Sequence, residues 1–314
     1  MSLPRLNIDQ LNILLMLISC AIAFLIPFEL VLLSYAFLGP AHYLTEISWL
    51  HDRKYFTGVK WLWLPLAALA AFMVYVGFVD KNNVTASYVA LALGLSLSLA
   101  LISPVSRAYK VMIGAGALIA FLLLRGIYPP FELALAVLLP TVIHIYVFTG
   151  LFMLTGVLKT KSRWGMAAFA LFLACGLSFF IITPATLMMS PDFISYNLGA
   201  FDGLTDYLVS ILSFNGNING HAVLAFLSFA YTYHYLNWFS KTEVIKWHLI
   251  SRTRLYGIIV LYLLSIGLYL INFKVGFMVL TFLSLAHVFM EFPLNLVSLK
   301  TIGSSFSHKA SKRA

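Results

Sequence analysis

The sequence predicts an all-α protein, a polytopic transmembrane helix bundle of about ten spans with both termini in the cytoplasm. Three observations carry that prediction. Of the 314 residues, 61% are hydrophobic and only 10% charged, whereas about a quarter of the residues of a soluble domain carry charge. Apolar runs near the ~20 residues that a helix needs to cross hydrocarbon recur between short polar breaks along the chain. The basic residues fall on alternate breaks: a ten-span arrangement gathers seventeen of the twenty Lys and Arg on one side and leaves Lys81, Arg125 and Lys274 on the other. By the positive-inside rule the richer side is cytoplasmic, and one span added or lost in mid-chain would scramble the division.

The spans follow in order. The first, 10–26, comes after MSLPRLNIDQ and has no small-residue cleavage site behind it, so it reads as a retained membrane helix. Pro27 turns the chain tightly into 28–50, which ends at His51-Asp52-Arg53. The next spans are 59–79, 84–103, 108–125, 129–157 and 164–189, and the last three are 219–240, 254–272 and 275–299. Residues 1–299 form one transmembrane helical domain in this reading. Segment 190–218, with Asp192, Asp202, Asp206 and no base, is an outer loop or lid. Residues 300–314 are a basic cytoplasmic tail suited to anionic headgroups. The expected location is the inner (plasma) membrane, as a multi-pass protein.

The net charge of +9 belongs to loop anchors, so nucleic acid is not an expected partner. Cys20 and Cys175 both lie inside apolar runs, which excludes a disulfide framework and a cysteine-type zinc site. No nucleophile elbow, phosphate-cradling glycine loop or haem-attachment motif is present.

Ionisable groups at mid-membrane cost about 2.5–3.5 kcal/mol each on insertion scales and therefore need a reason. Span 28–50 carries His42 and Glu46, span 129–157 carries His144, span 219–240 carries His234, and span 275–299 carries His287 and Glu291. Depth follows from counting back to the basic anchor that ends each span. The counts run from seven residues, for Glu46 before Arg53 and His234 before Lys241, to fifteen, for His144 before Lys159. At about 1.5 Å per residue all six groups fall in one layer, roughly 10–23 Å from the cytoplasmic face.

His42 and Glu46, like His287 and Glu291, stand four residues apart and share a helix face. That spacing suits two metal ligands, or one ligand with a carboxylate that orients its ring. Imidazoles and carboxylates from several facing helices are how bundles assemble metal sites, and such a set suits iron, zinc or manganese. The metal ligands expected are His42, His144, His234 and His287, with Glu46 and Glu291 as catalytic carboxylates. Gly39-Pro40, Pro140 and Pro293 adjoin these positions and predict kinks beside the site. His51 reads as a water-exposed cap, His221 as an interface residue and His248 as a headgroup contact. Glu29 and Glu132 read as span-end residues that reach water.

In chain order these positions resemble the Brp/Blh family of membrane β-carotene 15,15′-dioxygenases. The resemblance rests on Gly39-Pro40-Ala41-His42 with Glu46, on Ile143-His144, and on the aromatic helix Tyr231–Trp238 around His234. It ends with His287, Glu291 and Pro293 ahead of the basic tail. It implies an Fe(II) centre held by histidines that uses dioxygen to cleave a carotenoid or related isoprenoid, with retinal as the product in the family's own reaction.

Two other readings of the same residues stay open. One is an intramembrane zinc-dependent lipid hydrolase with Glu46 or Glu291 as general base. The other is a proton-coupled transporter that relays protons through the His and Glu groups.

Overall fold

The structure is a computed structural model that describes residues 7–79, 83–128, 130–182, 184, 208–209 and 220–311. Among these residues there are helices and no strands. Among the described residues, eight helices are long and apolar enough to cross a membrane: Ile8–Leu25, Lys60–Phe78, Thr85–Ile102, Arg107–Ile127, Leu135–Thr160, Arg163–Ile181, Arg252–Ile271 and Phe273–Ser304. The two remaining expected spans are helical over 27–52 and 220–240, and they carry more polar side chains. The expected lid at 190–218 lies outside the described residues except for Leu208 and Val209.

The chain divides into two compact units, each made of two segments. One takes residues 1–39 and 145–246, the other 40–144 and 247–314.

In the first unit, α1 (Ile8–Leu25) starts at a capping box in which Asn7 and Gln10 satisfy each other's backbone N–H groups. It stops at Ile26, because Pro27 opens α2 (Pro27–Leu33). Helix α8 (Thr149–Thr160) ends at Lys161 in the left-handed conformation, and Ser162 then caps α9 (Arg163–Ile181) by accepting from Gly165 N–H. Helix α10 (Gly220–Ser240) is buried without interruption from Ala222 to Tyr235 and packs on α1, α2 and α9. A helix buried all round is the centre of its unit. Two of its polar groups are satisfied laterally: Tyr233 donates to Asn12 Oδ1 (3.1 Å), and the Thr232 hydroxyl lies 2.6 Å from that of Ser34. Glu29, expected to reach water, is instead buried in α2, which packs against α10.

In the second unit, α4 (Trp63–Phe78), α5 (Val84–Ile102), α6 (Arg107–Ile127) and α7 (Pro130–Leu138) follow in sequence. Helix α6 buries none of its residues; Val111, Met112 and Leu123 are each at least 60% exposed. So continuous an apolar outer face is suited to lipid and would be costly in water. After the short α11 (Thr242–Ile245), which closes the first unit, α12 (Arg252–Ile271) returns to α13 (Phe273–Ser311) through Asn272. Gly276 is required there, since a side chain would collide with the Tyr269 backbone. Helix α13 is buried continuously from Ala286 to Pro293 and packs on α4, α5 and α12. It continues through Pro293 to Ser311, so part of the expected tail is helical.

Two helical stretches are wound as π-helix: Ser34–Leu38, which leads into α3 (Gly39–Asp52), and Leu139–Phe148, which joins α7 to α8. π turns take one more residue per hydrogen-bonded loop than α turns and recur at functional sites. One of these ends four residues before His42, and the other contains His144.

Candidate metal centre

Five of the six sequence-predicted groups lie together in the second unit. Helix α3 supplies His42 and Glu46, the π-wound stretch supplies His144, and α13 supplies His287 and Glu291. All five are at most 3% exposed.

Glu46 Oε2 lies 3.1 Å from His42 Nε2, across one turn of α3. Glu291 Oε2 lies 3.1 Å from His144 Nδ1, which ties α13 to the π-wound stretch. His144 Nε2 and His287 Nε2 are 2.9 Å apart. Tyr43 stacks on the His287 ring with centroids 4.4 Å apart, and the His42 ring meets His287 edge-on at 5.2 Å. One nitrogen from each of His42, His144 and His287 falls within 4.8 Å of the others, and so do donor atoms of Glu46, His287 and Glu291.

This donor set fits a transition-metal ion. The 2.9 Å between the two Nε2 atoms serves an N–H···N hydrogen bond in the metal-free protein. It equally serves two donors on one ion, since bonds of about 2.1 Å at right angles put them about 3.0 Å apart. With Glu291 Oε2 beside its Nδ1, His144 turns Nε2 towards His287 and can offer that nitrogen to a metal. The buried group can hold a metal ion; which ion is a separate question.

Packing sets the height of α13. Gly94 of α5 faces the ring of Phe289, halfway between His287 and Glu291, so closely that a side chain there would overlap it. Gly94 therefore lets α13 lie close against α5.

His234 belongs to the first unit. It is 8% exposed, and its Nδ1 lies 2.8 Å from Thr149 Oγ1. The Thr149 hydroxyl gives its one proton to the Ile145 carbonyl at 2.9 Å, so His234 Nδ1–H donates to it and Nε2 keeps a lone pair. His51 Nδ1 pairs with the Tyr55 hydroxyl at 3.0 Å, and Asp52 pairs with Arg254 at 2.6 Å, on the exposed edge of the second unit.

Sequence reading missed two side chains that meet the predicted rings, Tyr43 and Thr149, and one buried amide on α13, Asn295. Tyr43 and Thr149 had no signal, because neither shares a helical spacing with the ring it meets. Asn295 had one: it stands four residues beyond Glu291, and its side chain is 2% exposed with neither amide atom meeting a hydrogen-bond partner among the described residues.

No protein-family model matches the chain, and neither the curated proteins nor the solved structures compared with it include a match.

Proposed function

We propose that the protein is a membrane-embedded, metal-dependent oxygenase of the non-haem iron type that cleaves or oxidises a carotenoid or related isoprenoid lipid. The observation that carries this reading is the convergence of His42, His144 and His287 with Glu46 and Glu291 in one buried cluster. The resemblance to the Brp/Blh family supplies the substrate class. His234 is the fourth histidine ligand of this reading.

His42, His144 and His287 would hold the ion through neutral imidazole nitrogens. Bound iron(II) supplies the activation of dioxygen that oxidative cleavage of a conjugated double bond requires. Glu291 stands beside Nδ1 of His144 and Glu46 beside Nε2 of His42, so each carboxylate can orient its ring, and Nδ1 of His42 is left as that ring's ligand atom. Tyr43 holds the plane of His287. Burial keeps bulk water from the cluster, which favours a long apolar substrate drawn from the lipid.

The test is elemental analysis of protein purified without added metal, paired with pigment analysis of carotenoid-producing cells that express it. Stoichiometric iron, lost in His42→Ala and His287→Ala, with oxygen-dependent loss of pigment, is the expected result. Full activity in metal-free protein would end the proposal. The juxtaposition of a carboxylate with His287 also suits a zinc hydrolase; zinc without iron, and no pigment change, would favour that reading.

A further inference from the structure

The first unit contains a cavity of about 610 Å³, lined only by its own residues. It sits where α1 and α9 begin and α8 and α10 end, and its lining combines apolar and polar residues. The charged groups that line it are Asp9 and Lys241.

Most of the polar lining is already committed. Asn12 donates to the Ile8 carbonyl (2.8 Å) and accepts from Tyr233 and Ser240 (3.1 Å each), and the Thr160 hydroxyl donates to Gly156 (3.0 Å). Ser162 donates to Asp9 Oδ2 at 2.5 Å, which leaves Asp9 Oδ1 as an acceptor. The Lys241 side chain makes no hydrogen bond or ion pair within 4 Å among the described residues. The cavity thus presents to a ligand three ammonium donors, one carboxylate oxygen and the Asn237 amide oxygen, which meets no hydrogen-bond partner among the described residues.

The sign of these charges selects the ligand. An anion alone would meet the Asp9 carboxylate, and a cation alone would meet Lys241. A neutral apolar molecule would strip water from both charged groups and give neither a hydrogen bond in return, which is costly. A zwitterion answers both. The apolar lining of Phe152, Met153 and Val157 then suits the glycerol and first methylenes of a lipid better than a fully soluble molecule, and the volume exceeds what a headgroup alone fills.

We propose that this cavity holds the headgroup of a primary-amine zwitterionic phospholipid, its phosphate on Lys241 and its ammonium on Asp9. The site is independent of the histidine cluster and of the oxygenase reading.

The experiment is native mass spectrometry of the full chain in detergent, titrated in turn with phosphatidylethanolamine, phosphatidylcholine and phosphatidylglycerol of the same acyl chains. The expected result is at least fivefold greater retention of the ethanolamine lipid than of either other. Lys241→Met and Asp9→Asn should remove the preference, while Lys241→Arg keeps it; a melting curve on each variant confirms that it is folded. Equal retention of phosphatidylglycerol would make the site an anion site and overturn the proposal, as would equal retention of phosphatidylcholine, whose amine cannot donate. In a parallel arm, soluble glycerophosphoethanolamine should compete only at far higher concentration. If it binds and the lipid does not, the cavity serves a free zwitterion and the lipid assignment fails.

Discussion

Glu291 Oε2 stands 3.1 Å from His144 Nδ1, joining two helical segments that are 147 positions apart in the chain. Neither group has an aqueous alternative, since His144 is 1% and Glu291 2% exposed. Removing the carboxylate charge therefore acts on the imidazole and, through it, on any ion the imidazole holds.

Glu291→Gln keeps the size and one acceptor oxygen of the side chain but loses the charge that stabilises His144 as a ligand. Metal affinity should fall by about 10- to 100-fold, the usual cost of losing an orienting partner. Equilibrium dialysis against a graded series of chelators measures it. Unchanged affinity would mean that Glu291 braces the helices and not the ligand.

Gly94→Ala introduces a methyl group into the space of the Phe289 ring. Overpacking of this kind costs about 1–3 kcal/mol. Thermal unfolding in detergent should show the loss, and Phe289→Leu in the Gly94→Ala background should recover much of it. A double variant as unstable as the single one would place the strain elsewhere.

Asn295→Leu replaces a buried amide that has no hydrogen-bond partner among the described residues with a side chain of similar size. An unsatisfied buried polar group costs about 1–3 kcal/mol, so the variant should melt at a higher temperature than wild type. Metal content should be unaltered. A lower melting temperature would reveal a bound water or ligand that Asn295 holds.

Burial lowers the Lys241 ammonium from 10.5 to about 8, against the pull of the Asp9 carboxylate, which favours the charged form. The folded protein therefore loses this proton near pH 8, where the unfolded chain keeps it until about 10.5. Stability contributed through this group rises between those two values, because the unfolded state binds more protons there. Competitive acylation of Lys241 against pH should give a midpoint near 8, and Asp9→Asn should move it lower. A midpoint at or above 10 in wild type would contradict the burial argument.

Much of the helical layout was legible because membrane helices announce their ends. Pro27, the Asn83 cap, Arg107, Ser162-Arg163 and Ser251-Arg252 fall within a few residues of observed boundaries. The polar layer was legible for a related reason: a histidine or glutamate amid apolar residues is conspicuous, and i, i+4 spacing fixes which face it occupies. The π-wound stretches were not legible, since Leu139-Pro140-Thr141 reads as α-helix up to a proline kink and nothing in residue type marks a wider turn. Glu29 looked like a span-end residue because sequence position records depth but not what packs alongside. The division into two units, each around one continuously buried helical stretch, depends on which segments pack together, and linear hydropathy carries no such information.

The wider winding between Leu139 and Phe148 makes the bearing of His144 depend on residue count as well as residue type. Deleting one position upstream of the imidazole within that stretch would let the backbone relax to ordinary 3.6-residue turns and swing every later side chain by about 100°. Single-residue deletions there should disarm the cluster while leaving the hydrophobicity of the span untouched, so length in this segment is as constrained as chemistry.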